Sequence, residues 1–360
     1  MPVRPVALVS RFAGENHAAH RRPPWRVATV LLAAALAASA LSACTAVDVS
    51  AVTQGAPAAS VPPANGTSSA WPASGTAAAT GTTSKNNVYL DIPYATRSPA
   101  EMLDIYLPTN GTGPFPVVIA IHGGAFWRGD KADGEEAPLM PGLHRGYAVV
   151  SVNYRLSQEA TFPAQIDDIK AAVRFVRANA TKYHVDPNRI AVWGNSAGGY
   201  LAALAGTSGG VTRLSDPSLG NPTVSDRVQA VVDQYGVISF LNVDPQYRAS
   251  GTGKANHDLA GSYESVYLGA ALPTVPWLVK AADPTTYISR DDPPFLIQHG
   301  VKDITVPVEQ STRFAAALRR VLAPGKVRLT IYRDAIHADL IFSSAVNVDL
   351  VYNWLDANLK

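Results

Sequence analysis

Between an apolar run that ends at Trp193 and a helical pattern that follows at once, the chain reads Gly194-Asn195-Ser196-Ala197-Gly198-Gly199-Tyr200. Small residues on both sides of a serine in this G-x-S-x-G context permit a tight, strained strand-to-helix turn, which lifts the hydroxyl clear of a sheet. Ser196 is therefore the candidate nucleophile for attack on a carbonyl. The helix that starts beside it offers unpaired N–H groups and a positive dipole end to developing negative charge. Taken alone the pattern also fits a purely structural Gly/Ser turn, so its partners decide.

A serine hydroxyl is a poor nucleophile until a base takes its proton, and that base must be oriented by a third group. Eight histidines are available. His17 and His20 fall in the basic N-terminal segment, His144 and His184 in surface connections, and His257 in an irregular insertion. His122 and His299 each precede a glycine at a strand end. His337, in Asp334-Ala335-Ile336-His337-Ala338-Asp339, follows the last expected strand, and a loop at that strand's carboxyl end faces the rim that carries Ser196. It is the expected general base and acid. For the orienting carboxylate, Asp303 follows the strand at Pro293–Ile297 and would fix the imidazole tautomer. Asp233 is the rival strand-end carboxylate, while Asp334 and Asp339 lie too near His337 in sequence.

Upstream, the apolar strand Val117–Ile121 ends in His122-Gly123-Gly124-Ala125-Phe126-Trp127-Arg128-Gly129-Asp130. Glycines there let the backbone approach a substrate and aim its amides. The N–H groups of Gly124, of Gly123 or Ala125, and of Ala197 are the expected oxyanion hole, in which one donor is typically worth ~10²–10³ in turnover.

These groups need a platform. Val117–Ile121, Ala148–Val152, Ile190–Trp193, Val228–Val232 and Phe295–Ile297 are apolar on both alternations, as strands buried on both faces must be, and Val327–Ile331 alternates like a strand nearer an edge. Val88–Ile92 and Leu103–Leu107 read as an antiparallel hairpin. Helical spacing marks Ala164–Asn179, Val308–Leu322 after Pro307, and Ser344–Leu359. Strands alternating with helices predict an α/β fold, a mostly parallel central sheet with helices on both faces. No internal repeat is present.

The chain of 360 residues is 47% hydrophobic and 16% charged, with a net charge of +2. That composition excludes a collagen-like, coiled-coil or wholly disordered chain. Arg4, Arg11, Arg21, Arg22 and Arg26 more than account for the positive excess. The remainder is slightly acidic and has no sustained Lys/Arg stripe to neutralise phosphates, so no nucleic-acid partner is expected. Neither a CxxC pair nor an HExxH motif suggests a metal, and neither a P-loop nor a dinucleotide glycine pattern in the right context suggests a cofactor.

The single cysteine, Cys44, follows the apolar run Val27–Leu41, itself preceded by Arg21, Arg22 and Arg26. This basic-then-apolar order is that of a secretory signal, and the run is short for a ~20-residue membrane span. Residues 45–85 are dominated by Ala, Ser, Thr, Gly and Pro, too poor in large apolar side chains to offset ordering entropy, and read as a flexible tether. Residues 86–360 are of a size for one domain.

Two resemblances add to this reading. Leu41-Ser42-Ala43-Cys44 resembles a bacterial lipobox, which implies a signal peptide over 1–43, a diacylglycerol on Cys44 and an exported, envelope-anchored protein. An ordinary cleaved signal, leaving a secreted chain, and an uncleaved anchor are the alternatives. The His122–Asp130 segment, Tyr154-Arg155-Leu156, Gly194–Gly199, the Asp303 loop and His337 together resemble the α/β-hydrolase esterases, notably the hormone-sensitive-lipase type and the feruloyl/acetyl esterase domains of the BD-FAE group. The order Ser196, Asp303, His337 matches theirs. Asp303 stands in H-G-x-x-D-x-x-V-P where typical hormone-sensitive-lipase relatives have D-P-L-x-D, which favours the BD-FAE-like branch.

The resemblance implies a carboxylesterase that cleaves short acyl esters, of acetyl or feruloyl type and on alcohol or carbohydrate leaving groups, without a cofactor. It also implies a small cap over the acyl pocket, for which 239–289 is the expected insertion. Phe126, Trp127, Tyr200, Tyr235 and Trp277 are candidate pocket aromatics, although each alone is more often core than pocket. A peptidase or formamidase on the same triad, a non-catalytic binding module and a structural lipoprotein are the competing functions. Mass spectrometry of the exported protein is expected to find an acylated Cys44 at its N-terminus; an unmodified terminus elsewhere removes the lipid-anchor reading.

Overall fold

The computed structural model describes residues 87–360. Cys44, the signal peptide over 1–43 and the tether over 44–85 lie outside the described residues.

Eight strands form one sheet: β1 (Val88–Pro93), β2 (Met102–Tyr106), β3 (Phe115–Ile121), β4 (Ala148–Val152), β5 (Val185–Asn195), β6 (Ala230–Gln234), β7 (Phe295–Gly300) and β8 (Val327–Tyr332). Their spatial order is β1-β2-β4-β3-β5-β6-β7-β8. β2 runs antiparallel to β1 and β4, and every neighbour pair from β4 through β3 to β8 is parallel. The helices are α1 (Pro141–His144), α2 (Ala164–Ala178), α3 (Ala197–Thr207), α4 (Val243–Ser250), α5 (Tyr263–Leu268), α6 (Pro276–Ala282), α7 (Glu309–Val321) and α8 (Ala345–Leu359).

Strand side chains alternate between two cores, as the pleat requires. Val117, Ile119, Ile121, Val192 and Ile297 pack with α2, α3 and α7 on one face. Val118, Ala120, Ala191, Trp193 and Leu296 pack with Val351, Tyr352 and Leu355 of α8 on the other. Every residue of β3, β4 and β7 is buried, as continuous apolar runs between two helical layers must be. This is the α/β-hydrolase fold with helices on both faces. The sequence pattern also placed the terminal helix, whose start is fixed by the Ser344 hydroxyl accepting from the Asn347 amide.

Three differences have physical causes. β5 begins at Val185, earlier than the expected Ile190, because Asp186-Pro187-Asn188 interrupts the apolar signal while Val185 still pairs with Phe115. β6 runs Ala230–Gln234 and not Val228–Val232. Its buried polar end is stabilised by hydrogen bonds no hydropathy pattern reports: Asp233 accepts from the Gly236 amide at 2.9 Å and Gln234 donates to Gln298 at 2.8 Å. The 239–289 insertion, expected to be irregular, contains α4, α5 and α6, which are too short for a 3.6-residue period to show.

At the junction of β5 and α3, a Cβ on Gly198 would collide with the carbonyl oxygens of Ile121 and His122 on the neighbouring strand end. Only glycine lets α3 start this close to β3. Gly198→Ala is expected to cost about 1–3 kcal/mol of stability, the usual range for forced overpacking, read as a lowered midpoint in urea unfolding.

Candidate active site

β3, β5, β7 and β8 all end at the same rim of the sheet, and the loops that leave them carry the site. Ser196, the residue between β5 and α3, has φ 52° and ψ −119°. A non-glycine residue in such a region stores of order 1–3 kcal/mol of strain, tolerated only when its surroundings over-determine it. Here the Ser196 amide donates to the Gln234 carbonyl at 2.9 Å and its carbonyl accepts from Tyr200 at 3.0 Å. The turn projects the hydroxyl to 3.0 Å from His337 Nε2.

His337 Nδ1 lies 2.7 Å from Asp303 Oδ2. An ionised carboxylate can only accept, so Nδ1 carries the proton and the Nε2 lone pair faces the serine hydroxyl. The Tyr235 ring meets the imidazole edge-on at 4.9 Å. Asp303 itself is buried, and burial opposes its ionisation. The hydrogen bonds from His299 and His337 outweigh that cost and hold its carboxyl well below the usual carboxylate range. Its other oxygen accepts the amides of Thr305 and Val306, both at 2.8 Å. The sequence thus brings Ser196, His337 and Asp303 into one hydrogen-bonded chain. The contribution of His299 was not anticipated: its Nε2 lies 3.2 Å from Asp303 Oδ2, and the His-Gly at a strand end was the only available sign of it.

The loop after β3 supplies the amides. Gly124 has φ +92°, and a Cβ there would strike the Arg128 carbonyl, so glycine is obligatory. Ala125 and Phe126 follow at φ 57° and 60°. Among the described residues no protein acceptor is found for the amides of Gly124, Ala125 and Ala197. Gly123 departs from expectation, because its amide donates to Glu135 Oε2 at 2.7 Å and is not free for a substrate oxygen. The loop is fastened from below: Tyr154 donates its hydroxyl to the His122 and Gly123 carbonyls at 3.1 and 3.2 Å, and the Ser157 amide donates to the Phe126 carbonyl at 2.8 Å. Arg155 is clamped by Asp168 of α2, with 2.7 Å between Nη2 and Oδ1.

Ser196, His337 and the loop 123–129 line a cleft of about 500 Å³. Phe126, Trp127 and Tyr235 lie on its wall as expected, joined by His257, Tyr263 and Glu264 from the insertion. Two expected pocket residues do not. Tyr200 is fully buried, donates to the Ala282 carbonyl at 2.7 Å and packs with Phe126, Phe240 and Tyr267 in the core. Trp277 is 69% exposed on α6 and away from the cleft wall. An aromatic's type and rough position do not reveal which way its Cβ points.

The rival carboxylate, Asp233, contacts no histidine. Complete burial raises it to about 7, against one hydrogen bond from Gly236, and its Oδ2 has no partner among the described residues.

Similarity to known proteins covers most of the described residues. The family model described as BD-FAE matches residues 103–318. Esterase LipQ of Mycobacterium tuberculosis is 36% identical over 235 residues, which cover 64% of this chain and 52% of that protein. The chain spans about half the length of the curated relatives it matches. Among solved structures, a truncated form of a carbohydrate esterase from gut microbiota is 30% identical with a TM-score of 0.67, covering 79% of this chain and 99% of that one. The bifunctional GH43-CE of Bacteroides eggerthii is 32% identical with a TM-score of 0.67, covering 76% and 38%.

The two aspartates have opposite linkage to pH. Asp303, depressed on folding, contributes stability that is complete above the ordinary carboxylate pKa of about 4 and is lost as pH falls through its lower folded value. Asp233, raised to about 7, keeps a proton that the unfolded chain has released, so stability is lost as pH rises from about 4 towards 7. Urea unfolding across pH 4–8 is expected to show that decline reduced in Asp233→Asn and retained in Asp303→Asn. Asp167 and Asp168, both raised to about 6 by burial, sustain the remainder.

Proposed function

The chain belongs to the BD-FAE family, and on that premise we propose that it is a serine hydrolase of carboxylic esters. The observation that carries this reading is the unbroken chain from the Ser196 hydroxyl through His337 to Asp303, at 3.0 and 2.7 Å. Ser196 attacks the ester carbonyl as its proton passes to His337 Nε2. Asp303 keeps the imidazole in the required tautomer and stabilises the imidazolium. The carbonyl oxygen, now an anion, is received by the amides of Gly124, Ala125 and Ala197, aimed at it before the reaction begins. His337 returns the proton to the departing alkoxide, and water then releases the acyl group by the same steps.

Short acyl esters of acetyl or feruloyl type on carbohydrate alcohols are the substrate class in this proposal. The carbohydrate esterases among the structural relatives support it. So does a cleft mouth that sets the partly exposed Trp127 beside Tyr263, with ring centroids 6.5 Å apart, as a platform for a sugar or aromatic face. The proposal also places the protein outside the cytoplasm, tethered through lipid on Cys44, which the basic, apolar and cysteine order of the N-terminal segment supports.

The full chain should hydrolyse p-nitrophenyl acetate and take a fluorophosphonate label at Ser196. Ser196→Ala is expected to abolish both, and Asp303→Asn to lower kcat by about 10⁴. Faster cleavage of peptide or formamide substrates than of esters overturns the assignment.

A further inference from the structure

The catalytic cleft continues beyond the insertion. A second cavity, of about 680 Å³, shares His257, Tyr263, Glu264 and Thr305 with its wall, so the two adjoin where the insertion meets the loop after β7. The side chains that line only the far cavity are mostly polar, among them Thr252, Lys254, Asn256 and Ser262.

His257, at the junction, is held on two sides. Its amide donates to Asp244 Oδ1 of α4 at 2.9 Å, and the Asp258 amide beside it donates to Asp244 Oδ2 at 3.2 Å. Its Nδ1 lies 2.8 Å from Glu264 Oε1 of α5. An ionised carboxylate only accepts, so Nδ1 carries a proton. Nε2 has no partner among the described residues, and unlike Nε2 of His122 it is not sealed from its surroundings. The pair repeats the carboxylate–imidazole arrangement of Asp303 and His337, with a cavity where the serine would stand. A ring fixed through its backbone and one nitrogen, with the other nitrogen open, meets a ligand at little ordering cost.

The groups around this ring favour its charged form. Burial opposes the charge, but the hydrogen bond and charge of Glu264, with Asp244 and Asp258, outweigh it and raise the imidazole above the usual histidine range. The Tyr247 ring of α4 lies 5.9 Å away, and Arg248 reaches Asp244 at 3.6 Å. Tyr263 and Lys254 complete the titratable groups at the junction, and Arg128, Asp133, Glu135 and His337 stand elsewhere on the cleft wall. Nε2 is therefore a donor at mildly acidic pH and loses its proton as pH rises through that raised value.

A donor in a cavity asks for an acceptor. An alkyl arm would leave it unpaired, and an ammonium would meet like charge. A carboxylate would be the fourth around one imidazolium, after Glu264, Asp244 and Asp258. A neutral oxygen pairs with Nε2 without either penalty. Resting on the esterase reading above, we infer that His257 is a specificity-determining residue, which donates from Nε2 to a neutral carbonyl or ether oxygen on a substrate arm that runs from the catalytic cleft into the second cavity.

The test uses the full chain and matched esters in which one methylene of the arm is replaced by a ketone. p-Nitrophenyl hexanoate and octanoate with their oxo analogues place the arm on the acyl side. Hexyl and octyl acetates with theirs place it on the alcohol side, and p-nitrophenyl acetate has no arm. In at least one set the wild-type ratio of ketone to alkyl kcat/KM is expected to fall about tenfold between about pH 6 and pH 9, chiefly through KM. Both esters need the same His337, so its titration cancels in the ratio. His257→Leu should lower the ratio at pH 6 about tenfold and make it flat with pH, leaving p-nitrophenyl acetate turnover unchanged. Glu264→Gln, which keeps an acceptor for Nδ1 and removes the charge, should move the midpoint of the ratio to lower pH. A ratio flat with pH in every set, or unchanged by His257→Leu, overturns the assignment, while p-nitrophenyl acetate turnover leaves the esterase reading standing. Should His257→Leu fail to fold, Glu264→Gln decides alone, and an unmoved midpoint overturns the assignment. Turnover of no ester by the wild type overturns both readings.

Discussion

The Asp303 carboxylate is the interaction on which the site depends. It is buried at the end of β7, where an unpaired negative charge would be expelled by protonation or by unfolding. Two backbone amides in its own loop and two imidazoles, His299 and His337, surround it instead. The amides make the carboxylate a product of local turn geometry, and His299 ties that turn to the body of the protein through Ser311 of α7 and the Val306 carbonyl. His337 then has only one way to sit. Because the carboxylate cannot donate, it dictates the tautomer of the histidine, and the tautomer dictates that the serine is met by a lone pair.

The oxyanion side is built on a different principle, backbone strain held by surrounding bonds. Ala125, Phe126, Ser196 and Tyr235 all have positive φ without being glycine, and all stand on the wall of the cleft. Strain of this kind persists only if neighbouring structure leaves no alternative. Tyr154 beneath His122 and Gly123, Ser157 on the Phe126 carbonyl and Glu135 on the Gly123 amide supply that constraint. With these carbonyls and this amide engaged, the amides of Gly124, Ala125 and Ala197 are left without a protein acceptor among the described residues, as the proposed oxyanion hole requires. The bonds that fasten the loop are therefore also what selects its donors.

Much of this was legible in the sequence because strands buried on both faces must be apolar throughout and because a nucleophile turn needs small neighbours. The parallel core strands and Ser196 follow from those two constraints, and His337 and Asp303 from their place in loops that leave later strands at the same rim. What escaped depends on direction and on pairing across the chain. Tyr200 and Trp277 have the composition of pocket residues, but one points into the α3 core and the other into solvent. Gly123 has the right type and place for an oxyanion donor, and only the fold brings Glu135 back to engage it. The polar end of β6 reads as loop until Gln298 is seen opposite Gln234.

Asp233 and Asp303 show how far environment, and not residue type, sets the chemistry. They leave adjacent parallel strands at the same rim, and either satisfies the rule that an acid should follow a strand near the histidine. Asp233 remains within the β6 ladder, directed at the start of α3, where a Cβ on Gly199 would strike its Oδ1 and one amide is its sole donor. Burial there favours the protonated acid, raised to about 7. Asp303 lies three residues beyond β7, where the chain has begun to turn and its amides point inward. A carboxylate takes four donors at one position and one at the other, so one stays ionised beside an imidazole and the other is pushed towards the protonated form under a helix. The short distance past the end of a strand decides which of the two can orient a base.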